Sequence, residues 1–165
     1  MSSLEISQMQ RDNCKGGRGM GSVTHKAILN EFLSGLTTIS EQRGYEFIPH
    51  KVTGKLQTYI LHNPAIPKGY FLLIHVSTIE IGFWGVSFEW QEAFHSLSSK
   101  RKSLDWAVIL LKSPRRGFLL PSKEFEKMKA ELSISHNNQI KIVERFLPLK
   151  SEFYDWDSFF QLLNL

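Results

Sequence analysis

Two apolar runs constrain this chain more than anything else in it. Tyr70, Phe71, Leu72, Leu73 and Ile74 form one; Trp106, Ala107, Val108, Ile109, Leu110 and Leu111 form the other. A strand with one wet face shows a polar residue at every second position, and neither run does. Each therefore reads as a strand covered on both sides. Both are strand-sized and far short of a bilayer span. They predict the centre of an α/β core: one central mixed sheet of about five to six strands, flanked by helices. The 165 residues suit one domain. At 42% hydrophobic and 22% charged, the composition excludes a mainly disordered chain.

The rest of the chain arranges itself around these runs. Residues 1–22 read as a flexible basic tail, with Arg11, Lys15 and Arg18 among Gly16, Gly17, Gly19 and Gly21. The tail resembles a phosphate-binding loop only superficially, because no strand precedes it and no lysine precedes Ser22. Residues 23–165 form the folded domain. Ala27, Ile28, Phe32, Leu33, Leu36 and Ile39 share one helical face, so a helix is expected over about 24–43, closed by Gly44. Strands follow at 45–48, ended by Pro49, and at 56–62, joined by a turn at 51–55. A third strand covers 70–77. Gly82, Phe83, Trp84 and Gly85 read as a glycine-bracketed turn, and a helix from a Ser87 cap to about Leu97 follows. After a polar connector at 98–103 comes the strand 106–111, a tight turn at 113–117 and a paired strand at 118–120. A helix from a Ser122 cap to about Leu132, a turn at Asn137 and Asn138, a strand over 139–145 and a helix over 155–163 complete the reading.

Cysteine and charge narrow the setting. Cys14 is the only cysteine, which leaves no internal disulfide and no thiolate cluster for zinc. The first residues carry no apolar stretch of signal-peptide length, and a cytoplasmic location is expected. A net charge of +4 and a pI near 9.2 permit a nucleic-acid partner without requiring one.

The order helix, three strands, helix, strand over residues 24–112 resembles the common core of the PD-(D/E)XK superfamily, the restriction-endonuclease-like nucleases. The stretches Gly82 to Val86, Asp105 to Leu111 and Arg116 to Leu120 look like bacterial members in DNA-restriction and defence settings. The resemblance implies an Asp on the second strand and Glu-x-Lys on the third, which hold Mg²⁺ and activate water. The second strand, KLQTYILH, has no carboxylate, and the third has Leu73, Ile74 and His75 where Glu-x-Lys is expected. No Asp occurs between Asp12 and Asp105. The metal site of such nucleases is therefore expected to be missing, unless a shifted alignment brings in Glu46, Glu80 or Glu89, or His75 stands in a modified site.

Candidate residues carry two readings each. His75 is a metal ligand or general base, or a core histidine. Glu80 is a migrated carboxylate or a solvated acid. Phe83 and Trp84 are a base-stacking platform, or aromatics that plug the core. Lys100, Arg101 and Lys102, with Arg115 and Arg116, neutralise phosphates or form a solvated surface. They bracket the strand 106–111 and should lie at its opposite ends. Asp105 reads as a strand-start residue. The expected function is a catalytically degenerate nuclease-fold domain that binds nucleic acid, or a non-catalytic subunit of a DNA- or RNA-processing or defence assembly. One alternative is an active nuclease with a displaced site; only that reading calls for a cofactor, Mg²⁺. Another is a protein-interaction module or self-associating subunit, with no membrane partner in any reading.

Overall fold

The computed structural model describes residues 24–51, 57–132 and 138–165. The tail 1–22 with Cys14, the turn at 52–55 and the Asn137 position lie outside the described residues. The first helix, α1, covers 24–42. Its turns bury Phe32 and Leu36, and Gly44 follows with φ 78°, the left-handed conformation that ends a helix without a Cβ clash. Strands β1 (Glu46–Lys51), β2 (Gln57–Asn63) and β3 (Lys68–Val76) then form an antiparallel meander. Pro49 does not end β1. The strand lies at the sheet edge, where a missing N–H is tolerated.

Two elements carry the chain from β3 across to its parallel neighbour. Strand β4 (Phe83–Ser87) leads into helix α2 (Phe88–Lys100), and β5 (Leu104–Ser113) returns beside β3. A hairpin adds β6 (Arg116–Pro121), followed by helix α3 (Ser122–Lys129). Strand β7 (Gln139–Val143), two short 3₁₀ turns, the two-residue β8 (Glu152–Phe153) and helix α4 (Trp156–Leu162) follow. The main sheet has the order β1-β2-β3-β5-β6-β8. It is mixed and six-stranded, as expected. The sixth strand is β8, which the sequence reading missed; β7 pairs with β4 in a separate two-stranded ribbon.

The two apolar runs sit side by side, with Phe71 opposite Trp106 and Leu73 opposite Val108. Phe71, Leu73, Trp106, Val108 and Leu110 pack with Phe94 of α2, Phe125 of α3 and the ribbon residues Trp84, Val86, Ile140 and Ile142. Leu72, Ala107, Ile109 and Leu111 pack on the other face, with Phe32 and Leu36 of α1 and Phe159 and Phe160 of α4. Both faces are thus covered, which is why neither run alternates. Each large side chain sealed this way contributes roughly 1.5–3 kcal/mol. The Tyr70 hydroxyl donates to Leu163 O at 2.8 Å, tying the end of α4 to β3.

Two capping expectations fail. Ser87 precedes α2 without a side-chain cap bond, and Pro121, not Ser122, holds the cap position of α3. The Ser122 hydroxyl instead donates to Asp105 Oδ2 at 2.9 Å, while Asp105 Oδ1 accepts from the Trp106 N–H at 2.8 Å. Asp105 therefore organises the start of β5, as its position suggested.

Candidate nucleic-acid interface

The metal site that the nuclease resemblance implies would stand on β2 and β3. One face of this pair carries Tyr59, Leu61, Tyr70 and Leu72, and the other carries Ile60, Phe71 and Leu73, all buried. Among the described residues, no group of three His, Cys, Asp or Glu is placed to share a metal ion. Glu46 Oε2 lies within hydrogen-bond distance of His62 Nε2, at 2.9 Å. Glu80 is exposed in the turn after β3, and Glu89 is exposed in the first turn of α2.

His75 lies near the end of β3 and meets Trp90 of α2 edge-on, with ring centroids 6.4 Å apart. The residue is half-buried, but its Nε2 is sealed from solvent and has no hydrogen-bond partner among the described residues. Burial, and then the nearby His25, push its pKa down to about 4. At neutral pH it is an uncharged ring, and as a base it is too weak for efficient proton abstraction. His25 Nε2 lies 2.8 Å from Val76 O, so the start of α1 is tied to the carboxyl end of β3.

That end of the sheet is closely built. Ser77 is 5% exposed, and its N–H donates to Leu111 O at 2.9 Å. Its Oγ accepts from the N–H groups of Ile79 at 3.3 Å and Phe83 at 3.1 Å. One hydroxyl thus holds the 77–83 segment, from which Ile79, Ile81 and Phe83 project into solvent. The expected turn at Gly82 to Gly85 is instead the start of β4. Alternation along β4 separates the two aromatics. Trp84 is 2% exposed, lies edge-on to Phe118 and donates its Nε1–H to Leu111 O at 3.3 Å; Phe83 is 36% exposed. A platform built from both is ruled out, because successive strand residues point to opposite faces. Trp84 anchors the ribbon and Phe83 alone can meet a ligand.

The positive residues divide by position. Lys100 ends α2, and Arg101 and Lys102 are exposed in the turn before β5. Arg115 is exposed in the turn after it; Arg116 begins β6 and its Nε donates to Glu152 at 2.7 Å. Ten residues of β5 separate the groups by about 30 Å, so they do not form one patch. Two further cations, Lys141 and Arg145, were missed because they are isolated in sequence. Pairing of β7 with β4 puts Lys141 opposite Gly85, two residues along from Phe83, and leaves Arg145 two residues past Val143, the cross-strand partner of Phe83.

Comparison with solved structures gives a likeness of fold. The structure is similar to that of Hjc, a Holliday junction resolvase from the archaeal hyperthermophile Archaeoglobus fulgidus, with a TM-score of 0.50 and 14% identity. The match covers 70% of this chain and 91% of the resolvase. The chain has a restriction-endonuclease-like fold. No family model matches it, and no curated protein matches its sequence. At 14% identity the likeness concerns the fold, and chemistry has to be read from the residues in place. No helix among the described residues is long and apolar enough to cross a membrane.

Proposed function

We propose that this chain is a nucleic-acid-binding domain on a nuclease fold, one that has lost the hydrolytic metal centre and works as a non-catalytic subunit of a nucleic-acid-processing assembly. The reading rests on the side chains of β2 and β3, which are apolar where hard-cation ligands would be needed. A buried Leu or Phe cannot hold Mg²⁺ or orient a water for attack on phosphorus. The fold's likeness to a Holliday junction resolvase supports nucleic acid as the ligand class. The net charge of +4 has the same sign, and Lys100, Arg101, Lys102 and Arg115 make no ion pair among the described residues. They are the candidates for phosphate contact, with Arg116 partly committed to Glu152.

The test has two arms. Labelled duplex and single-stranded oligonucleotides are titrated with the full chain across a salt series. Binding that weakens with salt is expected, as phosphate-bound counterions are released. Plasmid and RNA incubated with Mg²⁺ or Mn²⁺ should stay intact. No binding at low salt overturns the binding half. Cleavage abolished by Glu80→Ala or His75→Ala overturns the non-catalytic half and restores a displaced site.

A further inference from the structure

The ribbon formed by β4 and β7 turns one face outward, with Phe83, Gln139 and Lys141 exposed on it. Alternation sends Trp84, Val86, Ile140 and Ile142 into the core, where all four are buried. Phe83, Gly85 and Ser87 therefore share the outer face with Val143, Lys141 and Gln139, their cross-strand partners. Phe83 is exposed beside Val143, and Lys141 is exposed opposite Gly85, one step along the ribbon. A Cβ on Gly85 would lie 2.9 Å from Gln139 Oε1, so the Gln139 carboxamide lies over the glycine. At the Phe83 end, Ile81, Val143, Glu144 and Arg145 line a shallow hollow of about 380 Å³. The Arg145 guanidinium stacks 4.8 Å from the Phe146 ring centroid.

The charge on this face is positive. Glu144, the acid at the ribbon end, is neutralised by Lys112 at 2.6 Å. Lys141 and Arg145 have no acidic partner among the described residues. Glu80 is an exposed acid in the loop leading into β4. The face is also held in shape before any ligand arrives, by Trp84 beneath it and Ser77 at its entrance, so little ordering is left for binding.

Resting on the nucleic-acid reading above, we infer that this outer face binds an unpaired nucleic-acid strand. A base stacks on Phe83, the Gln139 carboxamide reaches the edge of a neighbouring base, and Lys141 and Arg145 contact phosphates. The strand must be unpaired because the π-faces of a duplex are occupied by its own stack, whereas a lone exposed ring accepts any free base. A protein interface would centre on a dry apolar patch. Here Ile81 and Val143 add apolar surface at the Phe83 end, but Arg145 shares their hollow, and the aromatic is followed along its strand by Gly85 and Ser87 with Lys141 across the ribbon.

Fluorescence anisotropy with a labelled thymidine strand and a duplex of equal length, using the full chain, tests this. The strand should bind more tightly than the duplex. Phe83→Ala and Phe83→Leu should each lose about tenfold or more in strand affinity, and Phe83→Trp should restore it. Lys141→Ala and Arg145→Ala should weaken binding and reduce its salt slope. Glu80→Gln should strengthen it. Leu keeps an apolar side chain without the ring, so a loss in both variants, with unchanged melting curves, reports stacking rather than misfolding. Strand affinity unchanged in both Phe83 variants, or equal affinity for strand and duplex, overturns the inference while leaving nucleic-acid binding intact. Failure of the wild type to bind either probe overturns that reading and the inference together. Self-association by light scattering that disappears in Phe83→Ala while strand affinity stays unchanged assigns the face to a protein contact instead, and also overturns it.

Discussion

His75 shows how one side chain converts a functional question into a stability one. Its pKa falls from 6.5 to about 4 on folding, chiefly through burial. Between those values the unfolded chain binds the proton and the folded one does not, so stability rises with pH across the window and is lost as pH falls from about 6.5 to about 4. The linked energy is about 3 kcal/mol. We expect urea unfolding at pH 4.5 and pH 7 to show about 2 kcal/mol of it, and His75→Leu to flatten most of that change. A variant as pH-dependent as wild type would mean that other groups carry the effect. Ser77 is the second such residue. Its Oγ accepts from two backbone N–H groups of the loop that closes over it. Ser77→Ala should cost about 1–3 kcal/mol and lower Tm by several degrees in a thermal melt. Sequence identified His75 as worth weighing, but nothing in the sequence marked Ser77, because its value lies in the loop that curls back over it.

At the scale of elements, the informative case is β4. Two glycines around an aromatic pair read as a turn, and the local sequence supports nothing better. The strand exists because β7, more than fifty residues later, supplies its hydrogen bonds and because Trp84 and Val86 find an apolar face to cover. Tertiary pairing overrode local propensity. β6 shows the same dependence in its backbone. A Cβ at Gly117 would stand 2.3 Å from Leu110 O, where the β5–β6 ladder shifts register between Leu111 and Ser113. Gly117→Ala should therefore destabilise on the order of 4 kcal/mol or more, seen as a large drop in Tm or loss of soluble protein. A near-neutral variant would show that the ladder can open there. Capping was read poorly for a related reason: Ser122 has a better partner in Asp105 than in its own helix.

For the whole molecule, the arrangement of charge decides what can be tested. The basic groups at the two ends of β5 are about 30 Å apart, beyond the screening length at physiological salt. If one nucleic-acid site exists, charge reversal at one end should reduce the salt slope of binding and reversal at the other should leave it nearly unchanged. Lys100→Glu with Arg101→Glu, set against Arg115→Glu alone, makes that comparison. Equal losses from both would call for a ligand that runs the length of the sheet. By itself, the sequence determined that β3 and β5 are central strands, since a run without polar residues is stable only when covered on both sides. It also determined that β2 and β3 carry no carboxylate, since composition is independent of folding. Only the tertiary structure decided that Trp84 is sealed while Phe83 is open, and that Lys141 lies across the ribbon on the same face as that ring. Those facts depend on which strand pairs with which, and pairing between segments far apart in the chain is set by the whole core rather than by either segment.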